Sequence, residues 1–306
     1  MATLKDIRKR ISSVHNTQKI TKAMKMVSAA KLRRAQQAMV NARPYAHKMT
    51  EVVQRVVQEA GDIENPFLTA RDPIRRIAIV VLASDRGLCG PFNGNLLRQV
   101  YHFYKIKMQE QEVVRDTTTG GGERDENVRL YAIGRKSLDF FRARRVPIHW
   151  NVTGVYEEMS YEYAGRLVRQ WMGEYLQGEW DQLYLCYNAF VTAISQEVRM
   201  DCLFPLTPTS SHEDTIKQDQ GGGGYIFEPK KGPLLDGLIP RYLATRLYQA
   251  FLESIASEYG ARMAAMDAAT NNCSELIRSL TLKMNRLRQA SITRELIDIV
   301  NGAAAL

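Results

Sequence analysis

The strongest constraint on the fold lies at the two ends of the chain, which contain almost no residue that ends a helix. Residues 241–301 include no proline and one glycine, Gly260. In Leu4–Ala60 the only breaker is Pro44, which we expect to kink or split a helix near Arg43. At 1.5 Å per residue, each segment forms a helix of roughly 80 to 90 Å, far longer than the helices of ordinary globular domains. The two segments therefore predict a long antiparallel coiled coil that projects from a compact base.

The hydrophobic stripe of the N-terminal helix changes character in its middle. The heptad pattern is apolar at first, at Leu4, Ile7, Ile11 and Val14. It then reaches four polar positions, Gln18, Thr21, Lys25 and Ser28. We therefore predict that the buried stripe drifts to Ile20, Met24 and Val27, a register shift suited to a bent rod.

The C-terminal helix also has a heptad stripe that shifts. Its apolar residues keep a spacing of three and four at Cys273, Ile277, Leu280, Met284 and Leu287. The stripe then moves to Ile292, Leu296, Ile299 and Ala303. This shift is the pattern of a stutter, which locally unwinds a supercoil.

Positive charge is concentrated near the N-terminus. Residues 1–48 hold twelve Lys or Arg and the single acid Asp6, and the whole chain has a formal net charge of +9. Nucleic acid, an anionic membrane surface or an acidic protein could balance this charge. Because residues 1–44 lack the aromatic side chains that stack on bases, we favour an acidic protein and expect no nucleic acid partner.

The middle of the chain, residues 61–240, alternates predicted strands and helices. The strands are expected at 77–84, 128–134, 182–188 and 192–206, and the helices at 94–110, 135–145 and 162–175. This order predicts a Rossmann-like α/β domain with a parallel or mixed sheet. Two polar, Gly-rich segments, 116–127 and 207–224, are predicted to be loops. The expected division is thus a coiled coil of 1–60 and 241–306 and an α/β domain of 61–240.

The turn after the first strand, SDRGLCGPFN, allows two interpretations. A glycine-containing turn between a strand and a helix can bind a phosphate at the helix N-terminus. However, the turn has no G-x-G-x-x-G motif, and the chain has no G-x-x-x-x-G-K-[ST] motif. We favour a tight turn shaped by Gly87 and Gly90 and capped by Asp85 or Asn93.

The remaining reactive residues form no recognisable site. The five histidines are dispersed, no HExxH or G-x-S-x-G motif occurs, and we predict no catalytic residue, metal ligand or cofactor. The four cysteines have no CxxC spacing and are expected to be small buried side chains: Cys89, Cys186, Cys202 and Cys273. No run of eighteen apolar residues predicts a transmembrane helix, and the N-terminus has no signal-peptide core, so we interpret it as mature structure.

Three segments, in this order, resemble the gamma-subunit family of the rotary ATP synthase. They are IRKRISSVHNTQKITKAMKMVSAAKLRRA, SDRGLCGPFN and the C-terminal ARMAAMDAATNNCSELIRSLTLKMNRLRQASITRELIDIVNGAAAL. The resemblance spans the chain and implies a non-catalytic rotor that couples rotation of the membrane c-ring to the catalytic beta subunits. It also implies a ring of alpha and beta subunits, the epsilon subunit and the c-ring as partners, with no cofactor. The implied location is the cytoplasmic face of a bacterial plasma or inner membrane, as a peripheral subunit, and an organellar origin stays open.

The same resemblance assigns roles to a few residues. Met24 and Lys25 match a contact with the beta subunits. The motif RQASIT places Arg288, Gln289 and Thr293 at positions that hydrogen-bond to a loop of the ring. A foot loop is assigned to Asp85, Arg86, Gly87 and Gly90. Met284 departs from the family, which usually has an aromatic residue there.

The residues alone leave an alternative function, an enzyme of the Rossmann-like class whose helical extensions serve oligomerisation. The missing phosphate-binding motif and the lack of a catalytic group count against it. Tight nucleotide binding by the isolated chain would favour the enzyme over the rotor.

Overall fold

The computed structural model describes residues 3–60, 65–118, 127–157, 159–206 and 231–304. The helices are α1 (Leu4–Ala60), α2 (Phe92–Thr118), α3 (Arg135–Ala143), α4 (Tyr161–Leu176) and α5 (Lys231–Ala304). The strands are β1 (Ile77–Leu82), β2 (Val128–Ile133), β3 (Trp150–Val152), β4 (Gln182–Phe190) and β5 (Gln196–Phe204). A short 3-10 turn, Val155–Glu157, precedes α4.

The five strands form one mixed sheet in the order β3-β2-β1-β4-β5. All neighbours are parallel except β4 and β5, which are antiparallel. Alternate residues of β1 enter two cores, one shared with α4 and α5 and the other with α2 and α3. Every residue of β1 is buried, as in a central strand covered on both faces. The predicted Rossmann-like domain is confirmed, and among its described residues the three-residue strand β3 and the 3-10 turn were not predicted.

The terminal helices α1 and α5 pack antiparallel, which confirms the predicted coiled coil. Gln18 contacts Ser274 while Lys25 contacts Asp267, so the two helices run in opposite directions. We call α1 and the part of α5 packed on it the helix pair. Thr3 and Asp6 cap the start of α1, because the Thr3 hydroxyl accepts the Asp6 N–H at 3.3 Å and the Asp6 carboxylate accepts the Thr3 N–H at 3.0 Å. Of the two effects expected at Pro44, the split is wrong, since Pro44 lies inside a continuous helix, and the kink stays a prediction.

Helix α5 begins at Lys231 and includes Pro240, whereas the sequence suggested a start after that proline. Its first part belongs to the core of the sheet domain. The buried residues that pack there are Leu235, Ile239, Leu243, Leu247 and Phe251. This burial stabilises the helix across Pro240, which would otherwise weaken it by removing one backbone hydrogen bond. The boundaries expected for the two domains stay a prediction.

Two smaller expectations need correction. Residues 116–118 belong to α2 and are not a loop, while 119–126 and 207–224 lie outside the described residues. All four cysteines are free thiols, but only Cys89 and Cys186 are buried. Cys273 is half-buried and Cys202 is exposed, because it lies on β5 at the edge of the sheet. None of the helices in the described part of the chain is long and apolar enough to span a membrane.

Candidate functional site

The polar positions of α1 continue the buried face of the helix pair. Gln18 donates to the Ser274 hydroxyl at 2.7 Å, and Lys25 forms an ion pair with Asp267 at 2.6 Å. Between them, the Thr270 hydroxyl donates to that of Thr21 at 2.8 Å. Three successive layers therefore pair polar groups across the two helices, and Thr21, the buried one among them, has the partner that a buried polar group requires.

The predicted register shift is wrong for this reason. Thr21 and Ser28 stay buried, at 8% and 3% exposure, whereas Ile20 and Val27 are 60% and 57% exposed. Met24 is half-buried beside the seam. The sequence pattern suggested a drift because it weighs apolar residues alone, while the partner helix supplies a polar group for each of Gln18, Thr21 and Lys25.

The outer face of α1 combines positive charge with exposed apolar side chains. Lys19 and Lys22 are exposed there, next to Ile20, Met26 and Val27. Of the two residues assigned to a beta-subunit contact, Lys25 is held by Asp267 and is only partly exposed. Among the lysines of residues 18–28, Lys19 and Lys22 are therefore exposed to solvent, whereas Lys25 is only partly exposed.

The C-terminal end of α5 extends beyond α1. The pairing of Gln18 with Ser274 and Lys25 with Asp267 places Thr3 opposite roughly residue 289 of α5. Arg288, Gln289 and Thr293 lie at or past this point and are exposed. The large apolar residues exposed on this extension are Ile292, Leu296, Ile297, Ile299 and Val300. The stripe expected to mark a stutter thus faces solvent in the described structure instead of packing on α1.

The turn between β1 and α2 is a tight structural loop. The Asp85 carboxylate accepts the N–H groups of Arg135 at 2.9 Å and Gly154 at 3.0 Å, which ties together the loops after three strands. Gly90 has a φ of 57°, a conformation that favours glycine. The Asn93 side chain accepts the N–H of Ser84 at 3.1 Å. The structure therefore supports the favoured turn only in part. Gly90 has the left-handed φ, but the other left-handed residue of the turn is Leu88, at 61°, and not Gly87. The bonds of Asp85 and Asn93 join loops and strand ends and do not cap α2.

This turn packs directly on α5. The Arg262 guanidinium donates to the carbonyl of Gly87 at 3.2 Å and that of Arg86 at 3.4 Å, and to Glu258 at 2.6 Å. Burial raises the pKa of the Glu258 carboxyl, and the neighbouring Arg262 charge partly offsets the rise. Burial also raises the pKa of the Cys89 thiol, which lies in an apolar cluster with Phe92 and Ala261.

Sequence reasoning missed Glu258 and Arg262. The available signal was an acid and a base four residues apart in a stretch otherwise made of small and apolar residues. That spacing also occurs on solvated helix surfaces, so it does not by itself identify a buried pair.

Concave sites are modest on this molecule. A polar cavity of about 370 Å³ lies between α2 and the β4–β5 hairpin, and an apolar one of about 290 Å³ lies between α1, α4 and α5. The residues singled out from the sequence line neither of them. Within the described ranges, no group of three or more His, Cys, Asp or Glu side chains could hold a metal ion. The candidate functional regions are therefore the polar seam between α1 and α5, the outer face of α1, the C-terminal extension of α5, and the contact between the turn and α5.

Comparison with known proteins gives consistent matches over the whole chain. A family model described as ATP synthase matches residues 3–306. The ATP synthase gamma chain of Prosthecochloris aestuarii is 43% identical over 306 residues, covering 100% of this chain and 99% of the relative. A chain in the rotor of the Euglena gracilis mitochondrial ATP synthase, in rotational state 1, aligns with a TM-score of 0.61 at 19% identity and covers 94% of this chain and 98% of that one. A chain from the OSCP/F1/c-ring structure of the same enzyme aligns with a TM-score of 0.64 at 19% identity, covering 99% and 94%.

Proposed function

Since the chain belongs to the family of ATP synthase gamma chains, we propose that it is the central rotor shaft of an ATP synthase. It couples ion-driven rotation of a membrane c-ring to conformational cycling of catalytic beta subunits, and runs in reverse during ATP hydrolysis. ATP chemistry takes place in the partner subunits, so the chain acts mechanically and is not itself an enzyme.

The observation that carries this function is the helix pair. Two helices of 57 and 74 residues pack on each other over a long antiparallel seam, and the sheet domain covers only part of them. A long, two-helix rod of this kind suits a shaft that enters a ring of alpha and beta subunits. In this arrangement residues 1–60 and 241–306 form the shaft, and residues 61–240 form a foot that contacts the epsilon subunit and the c-ring.

The outer face of α1 fits a surface that must move past several partners in turn. Lys19 and Lys22 are solvated, and an exposed ion pair contributes only about 0 to 1 kcal/mol. The two lysines attract an acidic surface on each beta subunit in turn. Because each contact is weak, it dissociates readily as the shaft rotates. Met24, half-buried beside the seam, offers a small apolar contact of the same kind, while Lys25 contributes through its partly exposed ammonium.

The C-terminal extension supplies directional contacts. Arg288, Gln289 and Thr293 are exposed and can donate hydrogen bonds to a loop of the ring, and a charged donor strengthens such bonds. The foot loop around Asp85, Arg86, Gly87 and Gly90 has its hydrogen bonds within the chain and joins the foot to α5. The location that follows is the cytoplasmic face of a bacterial membrane, where the chain is a peripheral subunit.

Reconstitution tests this function. Membrane vesicles from a bacterial strain that lacks its own gamma chain would receive this chain, and ATP-driven acidification would be measured with a fluorescent pH probe. We expect ATP-dependent acidification that is absent from vesicles without the chain. Restored ATP hydrolysis with no ion pumping would contradict a coupling role, and tight stoichiometric binding of ATP or NAD to the isolated chain would favour the enzyme alternative.

A further inference from the structure

Two segments of the sheet domain contact the helix pair where it emerges from that domain, and we call them together the collar. One is the turn of residues 84–93, and the other is the tip of the β4–β5 hairpin, residues 190–195. The turn packs on α5 through Cys89 and Phe92, which cluster with Ala261. The hairpin tip contacts both helices, because Phe190 and Ala193 lie in one apolar cluster with Leu32 and Ala256.

The backbone of α5 comes unusually close to the hairpin tip. A Cβ atom added at Gly260 would lie 2.8 Å from the carbonyl oxygen of Ala193, a distance that real Cβ atoms do not reach. Only glycine fits this approach without a backbone shift. The collar therefore holds α5 between the hairpin on one side and the turn on the other.

A buried ion pair lies at the same level of α5. The side chains of Arg262 and Glu258 are 9% and 7% exposed, and the guanidinium is directed at the carbonyls of Arg86 and Gly87. The Arg262 Nε atom also donates to the Gly87 carbonyl, at 3.3 Å. A planar guanidinium has fixed donor directions, so these bonds restrain rotation as well as separation. The apolar contacts of the collar carry no such directional restraint. Two hydroxyl hydrogen bonds also join α5 to the sheet domain here, from Ser257 to the Asn188 carbonyl at 3.2 Å and between Ser254 and Tyr156 at 3.0 Å, but a hydroxyl rotates about its C–O bond and restrains the angle less than a planar guanidinium.

We propose that Arg262, held by Glu258, is a positioning residue that fixes the rotational angle of the helix pair relative to the sheet domain. This inference rests on the proposed rotor function, in which torque enters through the sheet domain and leaves through the helix pair. The packing of α5 in the core of the sheet domain and the apolar contacts of the collar keep the two parts together. The guanidinium bonds to the turn prevent the sheet domain from slipping around the shaft under load.

Distance measurements between two spin labels test this restraint in the full chain. One label would be attached at Asp139→Cys on α3 and the other at Glu275→Cys on α5, both at exposed positions. The background would carry Cys202→Ser and Cys273→Ala, while the buried Cys89 and Cys186 stay native. Pulsed dipolar spectroscopy then gives the width of the distance distribution, which reports the angular freedom of the shaft against the sheet domain.

Three variants separate positioning from folding. Arg262→Gln removes the guanidinium, Arg262→Lys keeps the charge without the planar fork, and the pair Glu258→Leu with Arg262→Met replaces both groups by apolar ones. Replacing both members of a buried ion pair is often neutral or stabilising, so the double variant is expected to keep the thermal midpoint. The exposed Arg142→Gln on α3 is the control.

We expect the distribution to widen about two-fold in Arg262→Gln and in the double variant, and by less in Arg262→Lys, since an ammonium keeps part of the restraint. The control keeps the native width. A native width in the folded double variant and in folded Arg262→Lys would overturn the proposal, because both lack the guanidinium bonds.

A second measurement, the number of ions pumped per ATP, tests the role of this restraint in the assembled enzyme. In vesicles reconstituted as above, the double variant is expected to hydrolyse ATP while pumping about two-fold fewer ions per ATP than the native chain. An unchanged pumping ratio would overturn the proposed role in coupling. If the native chain itself supports no pumping, the rotor function fails, and the label distances still decide whether Arg262 restrains the two parts.

Discussion

The Thr270 hydroxyl donates to the Thr21 hydroxyl across 2.8 Å, in the part of the helix pair where a coiled coil ordinarily buries apolar side chains. Thr21 is 8% exposed and Thr270 is half-buried, so the bond is partly shielded from water. The adjacent layers are also polar, with Gln18 on Ser274 and Lys25 on Asp267. A run of satisfied polar layers fixes the register of two helices more strictly than apolar layers do, at a cost in stability.

Replacing both hydroxyls should therefore stabilise the pair. For Thr21→Val with Thr270→Val we expect the free energy of unfolding to be unchanged or higher by about 1 kcal/mol, since removing both partners of a hydrogen bond leaves none unsatisfied. Denaturant unfolding of the full chain measures the change. Thr17→Val, at an exposed position where the hydroxyl donates to the Ser13 carbonyl of the same helix, serves as the control. A loss of more than about 1 kcal/mol in the double variant would contradict this interpretation.

Charge reversal on the outer face of α1 tests the contact with the ring. Lys19→Glu with Lys22→Glu should lower ATP-driven pumping by about three-fold, through the loss of two weak attractions and their replacement by repulsion. Lys25 is left native, because a glutamate there would face Asp267 and destabilise the helix pair itself. The neutral variant Lys19→Gln with Lys22→Gln should lower ATP-driven pumping by less than the charge-reversed variant, since it removes the attraction without adding repulsion. Pumping at the native rate in the reversed variant would reject the electrostatic contact.

The close approach at Gly260 predicts a steric cost. Gly260→Ala places a methyl group 2.8 Å from the Ala193 carbonyl, and we expect the free energy of unfolding to fall by about 1 to 3 kcal/mol. Gly237→Ala in the same helix has open space around the added methyl and should raise it by about 0.4 to 1 kcal/mol. Thermal unfolding of both variants gives the comparison. Equal effects in the two variants would show that the collar is looser than described.

Titration of Glu258 predicts a specific pH dependence. Its pKa in the folded chain is raised above the usual 4.5 by burial, so the folded state keeps a proton that the unfolded chain has already lost. The resulting stabilisation is complete below about pH 4.5 and is lost as the pH rises through the folded pKa. Glu258→Gln removes this titration, so its unfolding free energy should fall less than that of the native chain between pH 4 and 7.

Asp6→Asn provides a comparison of opposite sign. Hydrogen bonds from Thr3 lower the pKa of Asp6, so this group stabilises the folded chain above its usual pKa and ceases to do so as the pH falls. Asp6→Asn should therefore lower the free energy of unfolding at neutral pH, and should change it little in acid, where the native Asp6 is already protonated. Parallel pH profiles for the native chain and Glu258→Gln would refute the buried titration of Glu258.

The C-terminal extension should be dispensable for folding. Ending the chain after Ser291 removes Ile292, Leu296 and Ile299, which are exposed and do not pack on α1. We expect the thermal midpoint to change by less than about 2 °C, while coupling in reconstituted vesicles falls. Ending the chain after Cys273 removes part of the packed seam and should lower the midpoint clearly. Hydrogen exchange that shows the sheet of the shorter chain unfolded would disprove the separation into rod and base.

The sequence predicted the long helices and the sheet well, because both depend on local properties. An uninterrupted run such as residues 241–301 has few alternatives to a helix, and the apolar run at Ile77–Leu82 is typical of a central strand. Pro44 and Pro240 were less informative, since tertiary packing keeps the helix continuous through both.

The details of the seam and the collar depend on contacts between distant segments, which the sequence does not display. Thr21 is polar, and only its partner Thr270 makes it a buried residue of the seam. Arg262 and Glu258 look like an ordinary surface pair until the turn at Arg86 and Gly87 covers them. The structure shows where the residues singled out by the family resemblance lie, among them Met24 and Thr293. Their contacts with partner subunits stay predictions.

Rotation of single molecules tests the rotor most directly. The chain would be assembled with alpha and beta subunits fixed to a surface, and a bead would be attached at Asp139→Cys on the exposed side of α3. We expect the bead to turn continuously in one direction when ATP is supplied, and to stop when ATP is withdrawn. An assembly that hydrolyses ATP while its bead stays still or diffuses in both directions would contradict the claim that this chain is the shaft.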